Sequence, residues 1–133
     1  SLTNSWFQHS YLTDLFRYLS GKNVTIVLTT DHGSIRVGNP VKVIGDKKTS
    51  VNLRYKVGRN LNYDRKSLYA CSKPENIHLP RQNISSSYVF AREDDFLVYP
   101  NNYNYFANFY KNTFQHGGIS MEEMLIPIIT LRT

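Results

Sequence analysis

The sequence predicts an α/β fold, and three observations carry that prediction. Ser5 to Ser20 place Leu12, Leu15, Phe16 and Leu19 at the i, i+3, i+4, i+7 spacing of one apolar helix face. Just beyond Gly21 lies Val24-Thr25-Ile26-Val27-Leu28-Thr29, a β-branched, nearly continuous apolar run of the kind expected for a strand covered on both faces. Near the other end, the capping-box sequence Ser120-Met121-Glu122-Glu123 starts a short helix that leads into a second strand-like run, Leu125 to Leu131. A helix feeding an apolar strand is the building step of an α/β sheet.

Each element has its own local justification. Ser5 and Gln8 have capping-box spacing, with Asn4 as the alternative cap, and Gly21 supplies the stop of the first helix. Gly38-Asn39-Pro40 marks a turn, followed by extended pieces at Lys42 to Ile44 and Ser50 to Val57. In the second piece Val51, Leu53, Tyr55 and Val57 alternate with Asn52, Arg54 and Lys56, which predicts a strand with one basic side. Leu68 to Cys71 is a further strand, with Cys71 a small apolar filler, and Pro74 opens a short helical turn up to Ile77. Ser87 to Ala91 and Phe96 to Tyr99, joined by Arg92-Glu93-Asp94-Asp95, predict a β-hairpin. Asn101 to Phe114 lacks a clean period and is expected to be irregular with some helix. Pro127 places the last strand at an edge or at the start of its pairing.

At 133 residues the chain is expected to form one compact domain or part of a larger one. Hydrophobic residues make up 41% and charged residues 20%, too apolar for general disorder. No apolar run approaches the roughly 18–20 residues of a membrane helix, and no basic-then-apolar leader is visible. The single cysteine, Cys71, allows no internal disulfide, so a cytoplasmic location is expected. The net charge is +6, and nine basic residues fall between Arg36 and Lys66 against only Asp46 and Asp64. Such a block suits a polyanionic partner or a solvated basic surface. The 10 Tyr and 7 Phe allow base stacking, although filling a core is their commoner use.

Chemistry concentrates in two loops. Thr29-Thr30-Asp31-His32-Gly33 follows the first apolar strand, at the carboxyl end where sites form in open α/β sheets. An adjacent carboxylate and imidazole can reach one divalent cation, and Gly33 gives the backbone freedom to hold them together; a simple polar turn is the alternative. His116-Gly117-Gly118 lies 84 residues further on, again ahead of a capped helix and an apolar strand. His9 and His78 lack partners at ligand spacing and are expected to be structural or exposed. No nucleotide-binding glycine loop, paired-cysteine zinc motif or nucleophile elbow occurs.

Taken together, Thr-Asp-His-Gly after a strand and the later run Gln115 to Ile129 resemble the C-terminal part of a PglZ domain of the alkaline phosphatase superfamily. Asp31 to Val37, Ile44 to Tyr63 and Phe114 to Pro127 most resemble the effector domain of PorX-type response regulators, which act with type IX secretion. The resemblance runs from about Val24 onward. It implies a partial alkaline-phosphatase-like three-layer sheet with flanking helices and an extended or β-hairpin insertion. It also implies two metal ions, usually zinc, that hydrolyse phosphate mono- or diesters. Asp31 and His32 would then ligate the metal that also holds the nucleophile, and His116 the second metal. Two cations would activate the attacking oxygen and neutralise charge on the phosphoryl group. Arg36 and the basic block are candidates for steering an anionic phosphoester or oligonucleotide substrate.

The family pattern also needs an early Asp, a Thr nucleophile at a helix N-terminus and an Asp/His pair, all before the Asp-His-Gly motif. The 30 residues that precede Asp31 offer only His9 and Asp14 on a helix, in the wrong order. The chain is therefore expected to be the C-terminal portion of a single domain, without its N-terminal half, weak in metal binding and inactive alone. An uncovered sheet edge would favour a homodimer or domain swap. The competing function is a non-catalytic nucleic-acid or protein interaction module with a basic surface; a degenerate domain that binds metal or nucleotide without chemistry is a third.

Overall fold

A computed structural model describes residues 1–46 and 48–132. They fall into two compact units, Ser1–Thr30 with Pro127–Thr133, and Asp31–Ile126.

In the first unit the single predicted helix is two, α1 (Leu2–Gln8) and α2 (Tyr11–Leu19). Ser10 takes extended backbone angles between them, and its hydroxyl and that of Thr13 both donate to the Phe7 carbonyl. That carbonyl is the one a continuous helix would offer to Tyr11, so the local side-chain bonds break the helix there. Ser1, rather than Ser5 or Asn4, caps α1 by accepting the Asn4 N–H. Gly21, at φ +77°, lies just past the end of α2 as expected.

Strand β1 (Thr25–Thr29) pairs antiparallel with a C-terminal strand over Ile128–Arg132, in register Thr29↔Ile128. Pro127 sits one residue before that pairing begins, where its missing N–H costs no ladder bond. The expected cover on both faces of β1 is not present among the described residues: Val27 is 56% exposed while Ile26 and Leu28 are half-buried.

The second unit holds the buried core. Strands β2 (Ile35–Arg36), β3 (Asn39–Lys42), β4 (Tyr55–Gly58), β5 (Leu68–Cys71), β6 (Ser87–Ala91), β7 (Asp95–Val98) and β8 (Phe114–Gln115) form three small sheets; the C-terminal strand of the first unit is β9. β6 lies antiparallel between β4 and β5, β3 runs parallel to β7, and β2 pairs antiparallel with β8. A 3-10 turn covers Pro74–Ile77, and two helices complete the unit, α3 (Tyr103–Tyr110) and α4 (Met121–Met124). The fold is thus mixed α/β, with small sheets and flanking helices.

The hairpin expected at Ser87 to Tyr99 is corrected: both strands form, but they pair with other strands. The reason is two-faced burial. Tyr88, Val89, Phe90 and Ala91 are all buried, as are Phe96, Leu97 and Val98, and an isolated two-stranded hairpin cannot cover both faces of such runs. Val43, Leu68, Val89, Ala91 and Leu97 make one core cluster, and Val37, Phe96 and Val98 another. Asn101 to Phe114 contains the helix α3, whose period is masked in sequence by exposed aromatics. Tyr103, Phe106 and Tyr110 pack on the second cluster while Tyr105 and Phe109 face outward.

The basic side of Ser50 to Val57 is the largest departure from expectation. Arg54 and Lys56 are among the most deeply buried side chains, at 0% and 1% exposure. Alternation separates the two faces of a strand but does not say which is covered, and here Val57 is buried as well as Arg54 and Lys56. Cys71 is in a strand as expected, though only partly buried, with its thiol donating to the Lys73 carbonyl. Lys47, counted in the basic block, lies outside the described residues.

Candidate functional site

Asp31, His32 and His116 belong to the second unit, and the β2–β8 ladder brings their loops together. Ile35 pairs with Gln115, so the chain before Ile35 runs back alongside the chain after Gln115. The His32 and His116 rings meet face to face, with centroids 3.8 Å apart and planes 10° from parallel. His32 Nε2 lies 3.7 Å from Asp31 Oδ1. His32 Nδ1 is 2.8 Å from the Gly33 carbonyl, which can only accept, so in the neutral ring the proton sits on Nδ1. Nε2 then turns a lone pair toward the carboxylate side, the orientation a metal-ligating imidazole takes from such a backbone bond.

Two glycines make this approach possible. A Cβ on Gly33 would lie 1.9 Å from the Glu122 carbonyl oxygen, and the Gly33 N–H donates to the Glu123 carbonyl at 2.9 Å. The Asp-His-Gly loop is therefore seated directly on α4. Gly117 has φ +98°, a conformation that side chains with a Cβ rarely adopt. The Asn52 side-chain amide donates to the His116 carbonyl at 3.4 Å.

The loops are clamped from below by a pair that sequence reasoning did not assign to the site. The Glu123 carboxylate is buried and accepts from Arg54 Nε at 2.9 Å and Nη2 at 3.0 Å, and from the backbone N–H groups of Gly118 at 2.9 Å and Ser120 at 3.2 Å. Burial pushes the Glu123 carboxyl up, but the Arg54 guanidinium, the Gly118 N–H and Ser120 outweigh it and hold it below the usual range. Arg54 Nη1 also donates to the Asp95 carbonyl. Glu123 was legible only as the third helical residue of a capping box, and Arg54 only as a polar position of a strand. Nothing local links two residues 69 apart in sequence.

The three predicted ligands are thus gathered at one surface, with Asp31 and His116 exposed and the His32 side chain 44% exposed. Arg36 stands opposite Phe114 in the ladder and donates to the Asn112 carbonyl at 3.3 Å. His9 and His78 are exposed, as expected; His9 Nδ1 lies 2.8 Å from the Ser5 carbonyl, and His78 ends the 3-10 turn in the left-handed region. Among the described residues no group of three or more His, Cys, Asp or Glu side chains converges as one metal site. The donor set is one carboxylate and two imidazoles, the oxygen and nitrogen ligands that suit zinc, arranged as an Asp31–His32 pair beside His116.

The loops that carry these side chains sit in an alkaline phosphatase-like domain. A family model described as the BREX system PglZ alkaline phosphatase-like domain matches residues 7–131, and the mixed α/β architecture agrees with part of such a fold. The chain belongs to the PglZ family. No curated protein matches it.

Proposed function

We propose that the chain contributes one side of the active site of a metal-dependent phosphohydrolase, with Asp31 and His32 as ligands of one metal and His116 as a ligand of a second. The carrying observation is the convergence of two loops 84 residues apart on stacked His32 and His116 rings with the Asp31 carboxylate 3.7 Å from His32 Nε2. Bound zinc would supply Lewis-acid activation of the attacking oxygen and neutralise phosphoryl charge. The chain's own residues do the positioning. Gly33 O orients His32, the Gly117 turn presents His116, and the Arg54–Glu123 pair fixes both loops. Three ligands are fewer than two closed zinc sites use, so the nucleophile and remaining ligands are assigned to an N-terminal part of the domain.

A phosphodiester of oligonucleotide type is the proposed substrate. Its support is the basic block that stays at the surface once Arg54 and Lys56 turn inward, which includes Arg36, Lys42, Lys48, Arg59, Arg65 and Lys66. A role as output domain of a two-component response regulator is supported by the sequence resemblance of Asp31 to Val37, Ile44 to Tyr63 and Phe114 to Pro127.

The test is zinc content and hydrolysis of a chromogenic phosphodiester by the intact protein that contains this chain, beside its Asp31→Asn variant. Two zinc ions and turnover in the first, with turnover abolished and folding retained in the second, are expected. Full activity in Asp31→Asn would reject the metal assignment. Oligonucleotide binding that persists without zinc and without turnover would favour the interaction-module reading.

A further inference from the structure

The second unit also holds a cavity of about 320 Å³ whose walls include Leu53, Leu97, Tyr99, Phe106 and Tyr110, with Lys56 among the lining residues. Its volume is at the lower end of the range of small-molecule sites, about 300–1,000 Å³, and its walls are mostly aliphatic and aromatic. The anomaly is Lys56. This side chain is 1% exposed, yet none of the ion pairs among the described residues includes its ammonium. Its one neighbour of note is the Tyr99 ring, whose centroid lies 4.3 Å from Nζ. The Tyr99 ring is in turn held by its hydroxyl, which donates to the Ser50 carbonyl at 2.8 Å.

The contrast with Arg54, two residues earlier in the chain, is informative. Arg54 is equally buried, but its charge is met by Glu123. Burying a cation without an anion is costly, and Lys56 bears that cost as an amine pushed down to about 8. A purely structural position of this kind is filled as well by Met or Leu, which carry no such penalty. A lysine in the wall of an apolar cavity instead suits a ligand that brings the missing charge.

We propose that this cavity is a binding site for a small monocarboxylate with an apolar body, its carboxylate pairing with Lys56 Nζ and its body lying against Leu53, Leu97, Phe106 and Tyr110. One cation among apolar walls matches one negative charge, whereas a phosphate dianion would ask for further donors. Asn101, which also lines the cavity, is the polar side chain closest in kind to a second carboxylate partner. The site is separate from the histidine loops and does not depend on the phosphohydrolase reading.

Octanoate and its neutral isostere octanamide are the probes, titrated against the full chain by isothermal calorimetry and amide NMR. Octanoate is expected to bind saturably, at least tenfold tighter than octanamide, and to shift the amides of Leu53, Lys56, Leu97 and Phe106. In Lys56→Met the two probes should bind alike. Asp31→Asn should leave octanoate binding unchanged. Equal affinity of the two probes for the unmodified chain overturns the proposal without recourse to any variant. So does the absence of saturable binding, or displacement of the shifts to the amides around His32 and His116.

Discussion

The Arg54–Glu123 pair and the Asp31–His32–His116 cluster meet at the same two loops, and they differ in what surrounds them. Glu123 lies in the interior with four donors on its two oxygens, while the Asp31 side chain is 89% exposed. The first arrangement has its charge satisfied inside the protein, so its role is mechanical: it ties α4, the Gly118 loop and the strand region around Arg54 into one piece. The second presents a carboxylate and two imidazoles at a surface. Deep burial marks the support here, and exposure marks the candidate ligands.

The largest expected effect comes from breaking the clamp. Glu123→Ala leaves Arg54 buried and unpaired, and should cost about 3–5 kcal/mol of unfolding free energy in urea titrations. The double variant Arg54→Met with Glu123→Leu should recover most of that loss, because it removes both charges. A loss from Glu123→Ala no larger than that of a surface substitution would make the pair incidental. Gly33→Ala comes next. With a methyl forced against the Glu122 carbonyl, it should cost about 1–3 kcal/mol and displace the Asp-His loop. NMR chemical shifts of the His32 and His116 rings report that displacement directly; unchanged ring shifts would show that α4 does not position the loop.

Acid sharpens the same comparison more gently. Because the folded Glu123 carboxyl is held below its ordinary value of 4.5, its contribution is complete above that pH and is lost as pH falls toward the folded value. The thermal stability of the unsubstituted chain should therefore fall below about pH 4.5 by more than that of Glu123→Gln. Parallel curves would show that Glu123 is not the responsible group. The smallest effect is expected at the surface cluster. Asp31→Asn should change unfolding free energy by no more than about 0.5 kcal/mol, as befits an exposed residue outside the core. A large loss would move Asp31 from the chemical surface to the structural support.

Much of this molecule was legible in its sequence, and the omissions share a cause. Leu68 to Cys71, the turn at Pro74, the capping box at Ser120 and the two histidine loops each carry a local signal within a few residues. The break at Ser10 was local too, but the competing Ser10 and Thr13 bonds to Phe7 were outweighed by the apolar stripe that spans them. The helix at Tyr103–Tyr110 was hidden because its outer face is also aromatic. The hairpin failed at a different level. Both strands were visible, but choosing a strand partner is a long-range decision that the intervening four residues do not control.

The sequence by itself determined where most strands lie, that the fold is α/β, and that Asp31, His32 and His116 are the candidates for metal-ligand chemistry. Propensity, capping and periodicity act over a few residues, so they can be read along the chain. Only the tertiary structure decided that Arg54 and Lys56 point inward, that Glu123 meets one of them, and that His32 stacks on His116. Burial and pairing depend on what the rest of the chain places opposite a residue, and for Arg54 that partner arrives 69 positions later.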